Sequence, residues 1–308
     1  MKINTGNVRI YIFITIAMLC WSFSFIWTKI ALESFPPLTL ITLRLILASV
    51  LLYGFLKLSG RLQKIDKPDL KLFFALAFFE PFMYYVGETY GLTMVKPTLA
   101  SVIIATIPVF APFFAFVFLK ERFTIINMLG IGVSIIGVYL IVYNTDGSET
   151  TSVIGVALVF LAVLSAIIYG LLLRKIPEKY SATNIIFYQS MIGLIYFIPV
   201  AAMVDLRLLA RMVILRQSVE ALLMLTVFAS VIAFVLFADV VRKIGITKSE
   251  VFTNLIPVFT ALLSWAIFKE MMNSFQWIGV FVVILGVFVS QSKNKKPEDR
   301  RVKTLDEI

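Results

Sequence analysis

The sequence predicts an all-α integral membrane protein whose ten transmembrane helices form two inverted five-helix repeats, and three observations carry that prediction. Sixty per cent of the residues are hydrophobic and only 15% are charged. With a mean hydropathy of +0.96, no water-soluble chain of 308 residues avoids aggregation. Ten apolar runs of about twenty residues follow one another, each long enough to cross a hydrocarbon core as a helix. Finally, residues 107 to 138 align without a gap on residues 256 to 287 at an offset of 149. Pro108 falls on Pro257, Lys120-Glu121 on Lys269-Glu270, Gly130 on Gly279 and Gly137 on Gly286. Shared apolar composition explains matching Leu, Ile and Val, but not matching Pro, Lys-Glu and two Gly.

The runs lie near 9–29, 37–58, 70–92, 97–119, 124–143, 152–173, 182–204, 218–241, 247–268 and 274–291. A spanning barrel would show shorter, alternating segments, so strands are not expected. The first run is too long, and lacks a small-x-small cleavage site, to read as a signal peptide; it reads as a retained helix. Between the runs, one set of loops together with both termini holds 21 Lys and Arg, and the opposite set holds 6. That bias places both termini in the cytoplasm. An odd repeat of five helices makes the second copy enter from the other side, so the repeats are inverted. The expected organisation is a first repeat over 1–145, a second over 150–291 and a charged cytoplasmic tail over 292–308.

Composition also excludes function classes. Histidine is absent and Cys20 is the only cysteine, which removes most zinc sites, His-based triads and disulfides. The net charge of +10 is spread over short loops and the tail rather than gathered in a patch, so nucleic acid is not an expected partner. No P-loop lysine motif, GxSxG or HExxH pattern occurs, which argues against direct use of ATP and against hydrolase chemistry. No helix has a polar stripe along its whole length, as a channel lining requires. No enzyme activity, cofactor or metal is expected.

Trp21-Ser22 followed by Phe25 and Lys29, the Pro36-Pro37 turn, Arg44 in the second run, Tyr90-Gly91-Leu92 before the fourth, and Pro108…Lys120-Glu121…Gly130…Gly137 carry a family resemblance. Taken together, 9–291 resembles two copies of the EamA-type unit of the drug/metabolite transporter superfamily. The resemblance implies a ten-helix permease of the cytoplasmic membrane with a small-molecule substrate held between the halves. The expected function is secondary-active export of a small metabolite such as an amino acid, by alternating access. A multidrug or organic-cation exporter is the alternative. The second copy has no Trp near Ser165 to Tyr169 to match Trp21-Ser22, a departure from a symmetric site.

Charged residues within a span cost about 2.5 to 3.5 kcal/mol each on insertion scales, so each asks for a reason. Arg44 lies roughly 10 Å in from the outer end of the second helix at 1.5 Å per residue, and Glu88 lies near the outer end of the third. An Arg44–Glu88 ion pair is open on this spacing, with the deeper Glu80 as competing partner. Glu80 precedes Pro81 at mid-span; it reads as a proton-coupling carboxyl, a neutral hydrogen-bonding group or a partner of Arg44. Trp21, Phe25, Tyr84 and Tyr85 form an aromatic group that suits either a pocket or packing. Tyr169, Gln189 and Asn254 supply polar groups from the second half, with Gln189 at the position of Arg44 under a local offset of 145. Lys29, Pro108, Glu121, Asp239, Glu250, Pro257 and Glu270 are gating or structural candidates. Gly130, Ser134 and Gly137, and likewise Gly279 and Gly286, form small-residue stripes that suit a scaffold contact or a dimer interface. Monomer and homodimer both remain open.

Overall fold

A computed structural model describes residues 5–119, 125–143, 152–209, 212–244, 249, 251–269 and 273–291, and among these the regular structure is helical throughout. Among the described residues seven helical spans are long and apolar enough to cross a membrane: Ile10–Ala31, Pro37–Leu58, Lys67–Met94, Pro97–Phe118, Val153–Leu173, Ala182–Val204 and Arg216–Val241. Shorter apolar helices occupy Met128–Leu140, Phe252–Phe268 and Trp277–Gly286.

The helices begin and end where local chemistry dictates. α1 (Thr5–Ala31) leads into α2 (Pro37–Leu58), which opens with Pro at its first position, where the missing N–H has no intrahelical partner in any case. α2 closes on Gly60, whose φ of +65° favours glycine. There Arg61 N–H donates to the Leu56 carbonyl at 2.9 Å and Gly60 N–H to that of Lys57 at 3.2 Å. α8 (Val153–Leu173) and α9 (Ala182–Val204) are capped by the hydroxyls of Ser152 and Ser181, which accept from Gly155 and Asn184 N–H.

Three of the spans are interrupted. α3 (Leu70–Ala77) passes through a π-helical turn (Phe78–Met83) into α4 (Tyr84–Met94). Inside that turn Glu80 leaves helical geometry, at φ −139° and ψ 115°, beside Pro81; proline has no N–H for the ladder and its ring crowds the preceding turn. α11 (Arg216–Met224) and α12 (Phe234–Ile244) flank a second π-helical stretch (Leu225–Ala233). α5 (Pro97–Ile104) breaks at Ala105-Thr106 before α6 (Ile107–Leu119). A 3-10 turn (Val251–Asn254) likewise precedes α13 (Leu255–Phe268). Pro108 and Pro257 therefore sit in the first turn of α6 and of α13, where they start a helix rather than bend one.

Packing repeats under exchange of the two halves. α1 lies against α13 and against the second π-helical stretch, and α8 lies in the same way against α6 and against the first. α2 packs on α9, and α7 (Ile125–Tyr143) on α14 (Ser274–Gln291). The last pair meets through its small residues. A Cβ at Gly137 would come within 2.8 Å of the Gly279 carbonyl, and one at Gly286 within 2.8 Å of the Gly130 carbonyl. Numbers rise along α7 as they fall along α14, so the two helices are antiparallel. Ser134 adds a hydrogen bond to the Val283 carbonyl at 3.3 Å. The stripes open to a dimer reading thus face each other within one chain, and only side chains this small let two backbones approach so closely.

Candidate functional site

A cleft opens where α2, α9 and the two π-helical interruptions converge. Leu45 of α2, Pro81 of the first π turn and Tyr85 of α4 line one side; Ile186, Gln189 and Ser190 of α9, with Ser230 of the second π-helical stretch and Phe234 of α12, line the other. The interruptions help explain its place: the first brings Pro81 and the second Ser230 to the lining, while the continuous helix α9 adds the polar Gln189 and Ser190.

Arg44, only 4% exposed, stands beside this cleft. Its Nε–H donates to the Ser230 hydroxyl of the opposite half. Its guanidinium carbon lies 4.3 Å from the centroid of the Tyr85 ring, a cation–π arrangement that holds the planar fork in one orientation. Among the described residues the ion pairs are Lys179 with Asp66 and Asp69, Arg216 with Glu220, and Lys243 with Asp239. Arg44 pairs with neither Glu88 nor Glu80. Both acids are nonetheless buried, each 5% exposed. Glu88 accepts from the Tyr84 hydroxyl at 3.2 Å. From the second half, Tyr169 donates to the carboxamide oxygen of Gln189, a cleft residue, at 3.3 Å.

The other sequence candidates divide. Trp21 packs by its ring against Phe234 and Phe237, at centroid distances of 5.2 and 4.9 Å, and so backs the cleft wall. Phe25, 2% exposed, belongs to the large apolar cluster around Leu92, Val95 and Ile103 and does not line the cleft. Lys29 donates to the Leu92 carbonyl at 3.0 Å, a cation at the C-terminal end of α4, where carbonyls lack helical partners. Asp239 pairs with Lys243 at 2.6 Å on one exposed helix face. Asn254 is 9% exposed and neither end of its amide has a hydrogen-bond partner; the cleft lining does not include it. Glu121, Glu250 and Glu270 lie outside the described residues.

Sequence reasoning missed Ser190, Ser230 and Asp205. Serines in apolar helices give no signal by themselves, because a hydroxyl bonds its own backbone as readily as a neighbour, as Ser190 does to the Ile186 carbonyl at 2.9 Å. Asp205 had a legible signal. It ends α9, is 1% exposed, and accepts from Thr39 N–H at 2.7 Å and from the Thr39 hydroxyl at 2.9 Å. It thereby caps the start of α2, which has no side-chain cap of its own. A carboxylate is the group that the partial positive charge of a helix N-terminus favours.

Comparison with known proteins places this geometry in a family. The EamA-like transporter family matches residues 8–143 and again 153–291. The uncharacterized transporter YetK of Bacillus subtilis is 26% identical over 94% of this chain and 88% of its own. An S-adenosylmethionine/S-adenosylhomocysteine transporter of Chlamydia trachomatis is 25% identical over 86% of this chain and 84% of its own. A solved crystal structure superposes with a TM-score of 0.66 over 92% of this chain and 98% of that one, at 15% identity, a likeness of fold alone. With both halves matched and the apolar helices of a multi-pass membrane protein in place, the chain belongs to the EamA-like transporter family.

Proposed function

We propose that this transporter is a secondary-active exporter of a small metabolite bearing a carboxylate, an amino acid being the simplest case. Two inverted five-helix repeats, 1–145 and 150–291, give ten transmembrane helices and expose the cleft to one side of the membrane at a time. The observation that carries the substrate reading is Arg44, a buried cation held by Ser230 and Tyr85 and in direct ion pair with neither Glu80 nor Glu88. Such a group is costly in a low-dielectric interior unless an anion joins it. A carboxylate on the two outer nitrogens supplies that anion in bidentate geometry. The relative named as an S-adenosylmethionine/S-adenosylhomocysteine transporter supports a substrate with an amino-acid end.

Alternating access draws its support from the exchange symmetry of the packing. Corresponding helices α7 and α14 run antiparallel, and so do α2 and α9, which meet at Thr39–Asp205 at one end and at Arg61–Asn184 at the other. Both termini are cytoplasmic on the Lys and Arg asymmetry of the loops, and the membrane is the cytoplasmic one on the likeness to EamA-like transporters. Glu80 is the proton-coupling group in this reading, because its carboxyl is buried at mid-span without an ion pair and must be neutral or meet a cation.

Purified protein in liposomes preloaded with pools of radiolabelled amino acids tests the reading. Efflux above empty liposomes is expected, and well-folded protein that moves none refutes it. A second reading, an organic-cation exporter, is favoured by Glu80 and Glu88, two buried acids without a direct ion pair to Arg44. Competition separates the two: an amine without a carboxylate blocks efflux only in the second.

A further inference from the structure

Beyond the cleft, two sets of contacts join the halves at opposite ends of the bundle, and exchange of the halves relates them. At one end the 59–69 segment that follows α2 is tied to the 174–181 loop between α8 and α9. Lys179 Nζ lies 2.6 Å from Asp66 and 2.8 Å from Asp69, and the Tyr180 hydroxyl donates to Asp69 at 2.7 Å. Gln63 accepts from Ser181 N–H at 2.7 Å and donates to the Lys179 carbonyl at 2.6 Å. The two carboxylates hold the Lys179 ammonium above the ordinary lysine range, Asp66 most strongly. At the other end the turn after α1 meets the start of α11. The Ser34 hydroxyl donates to that of Ser218 at 3.0 Å and accepts from Leu215 N–H at 3.0 Å, and Gln217 donates to Glu33 at 2.5 Å.

We propose that these are the two gates of the transport cycle, an ionic one at the Lys179 end and a hydroxyl-based one at the Ser34 end, opening in alternation. The proposal rests on the carrier reading and adds to it the residues that hold each end shut. Each contact set joins one loop of the first half to one of the second, so neither survives relative movement of the halves. Among the described residues no ion pair crosses at the Ser34 end, and the gates differ in chemistry accordingly. Charged contacts release a hydrated ammonium and two carboxylates on opening, whereas the Ser34–Ser218 contact exchanges one hydroxyl partner for water.

A buried reporter near the ionic gate reads its state. Ile186, 3% exposed, lines the cleft about one turn inside α9, and Cys20 is the cysteine to remove. Ile186→Cys in a Cys20→Ala background is labelled in membrane vesicles by an impermeant maleimide applied at the Lys179 face. Lys64→Cys, exposed on the same loop, establishes which vesicles present that face. Lys179→Gln and, separately, Asp66→Asn are expected to accelerate labelling about two- to five-fold, the range of an exposed pair. Ser34→Ala is expected to slow it, since weakening the opposite gate draws the population away from opening at this one. A loop contact of purely structural use would respond with faster labelling in all three variants. That outcome, or unchanged rates in folded Lys179→Gln and Asp66→Asn, overturns the proposal. Absence of solute flux in the parent counts against the carrier reading alone, because labelling needs no substrate.

Discussion

Replacing Arg44 by lysine removes the geometry of the site while keeping its charge, and so separates recognition from membrane insertion. In the structure Nε is committed to Ser230 and the face of the guanidinium to Tyr85. The two terminal nitrogens are left to grip a carboxylate side by side. A lysine ammonium keeps the attraction but offers no fixed fork and no flat face, and it leaves Ser230 without its donor. Losing one of two hydrogen bonds to a charged group costs about 1.5 to 3 kcal/mol, which at about 1.4 kcal/mol per decade is roughly a 10- to 100-fold weakening of affinity. Binding to protein in detergent, followed by efflux from liposomes, gives the two numbers needed. Affinity should fall by that factor, with expression and melting temperature close to the parent. A variant that binds within about two-fold of the parent would show that the guanidinium plane takes no part in recognition.

Glu80→Gln keeps the shape and hydrogen bonding of the buried carboxyl but fixes it neutral; substrate binding should persist while efflux ceases to follow an imposed pH gradient, and efflux that still follows the gradient as in the parent rules Glu80 out as the coupling group. Asp205→Ala strips the cap from the start of α2 and should lower stability by about 1 to 2 kcal/mol, read as a drop in melting temperature; an unchanged melting temperature would mean that water replaces the carboxylate at no cost. Ile214→Cys, exposed between α10 (Leu206–Leu209) and α11, should react with an impermeant thiol reagent added to intact cells in the Cys20→Ala background. Lys64→Cys should react only after permeabilisation, and the reverse pattern would invert the assigned orientation.

Much of the architecture was readable one helix at a time. The runs at 37–58 and 182–204 coincide with α2 and α9, because insertion of a segment is decided by its own hydropathy against lipid, whatever its neighbours are. Proline stands at three of the places where helices break or begin for the same local reason, Pro81 inside a span and Pro108 and Pro257 at helix starts. The second π-helical stretch, at Leu225–Ala233, carries neither Pro nor Gly, so nothing in its letters announced it.

The partners of buried polar groups were settled elsewhere. Sequence spacing allowed Arg44 to reach Glu88 or Glu80, yet in the folded chain it reaches Ser230, a residue of the other half. The small-residue stripes were equally consistent with a second copy of the chain, and they close on each other. Composition and periodicity determined that the chain lies in a membrane, where its spans fall and that its halves repeat, since each depends on the local sequence or on its likeness to another stretch. Tertiary structure alone decided which side chains share the cleft and which loops of the two halves meet, because the rotation of each helix about its own axis is set by the sum of many weak contacts with neighbours distant in sequence.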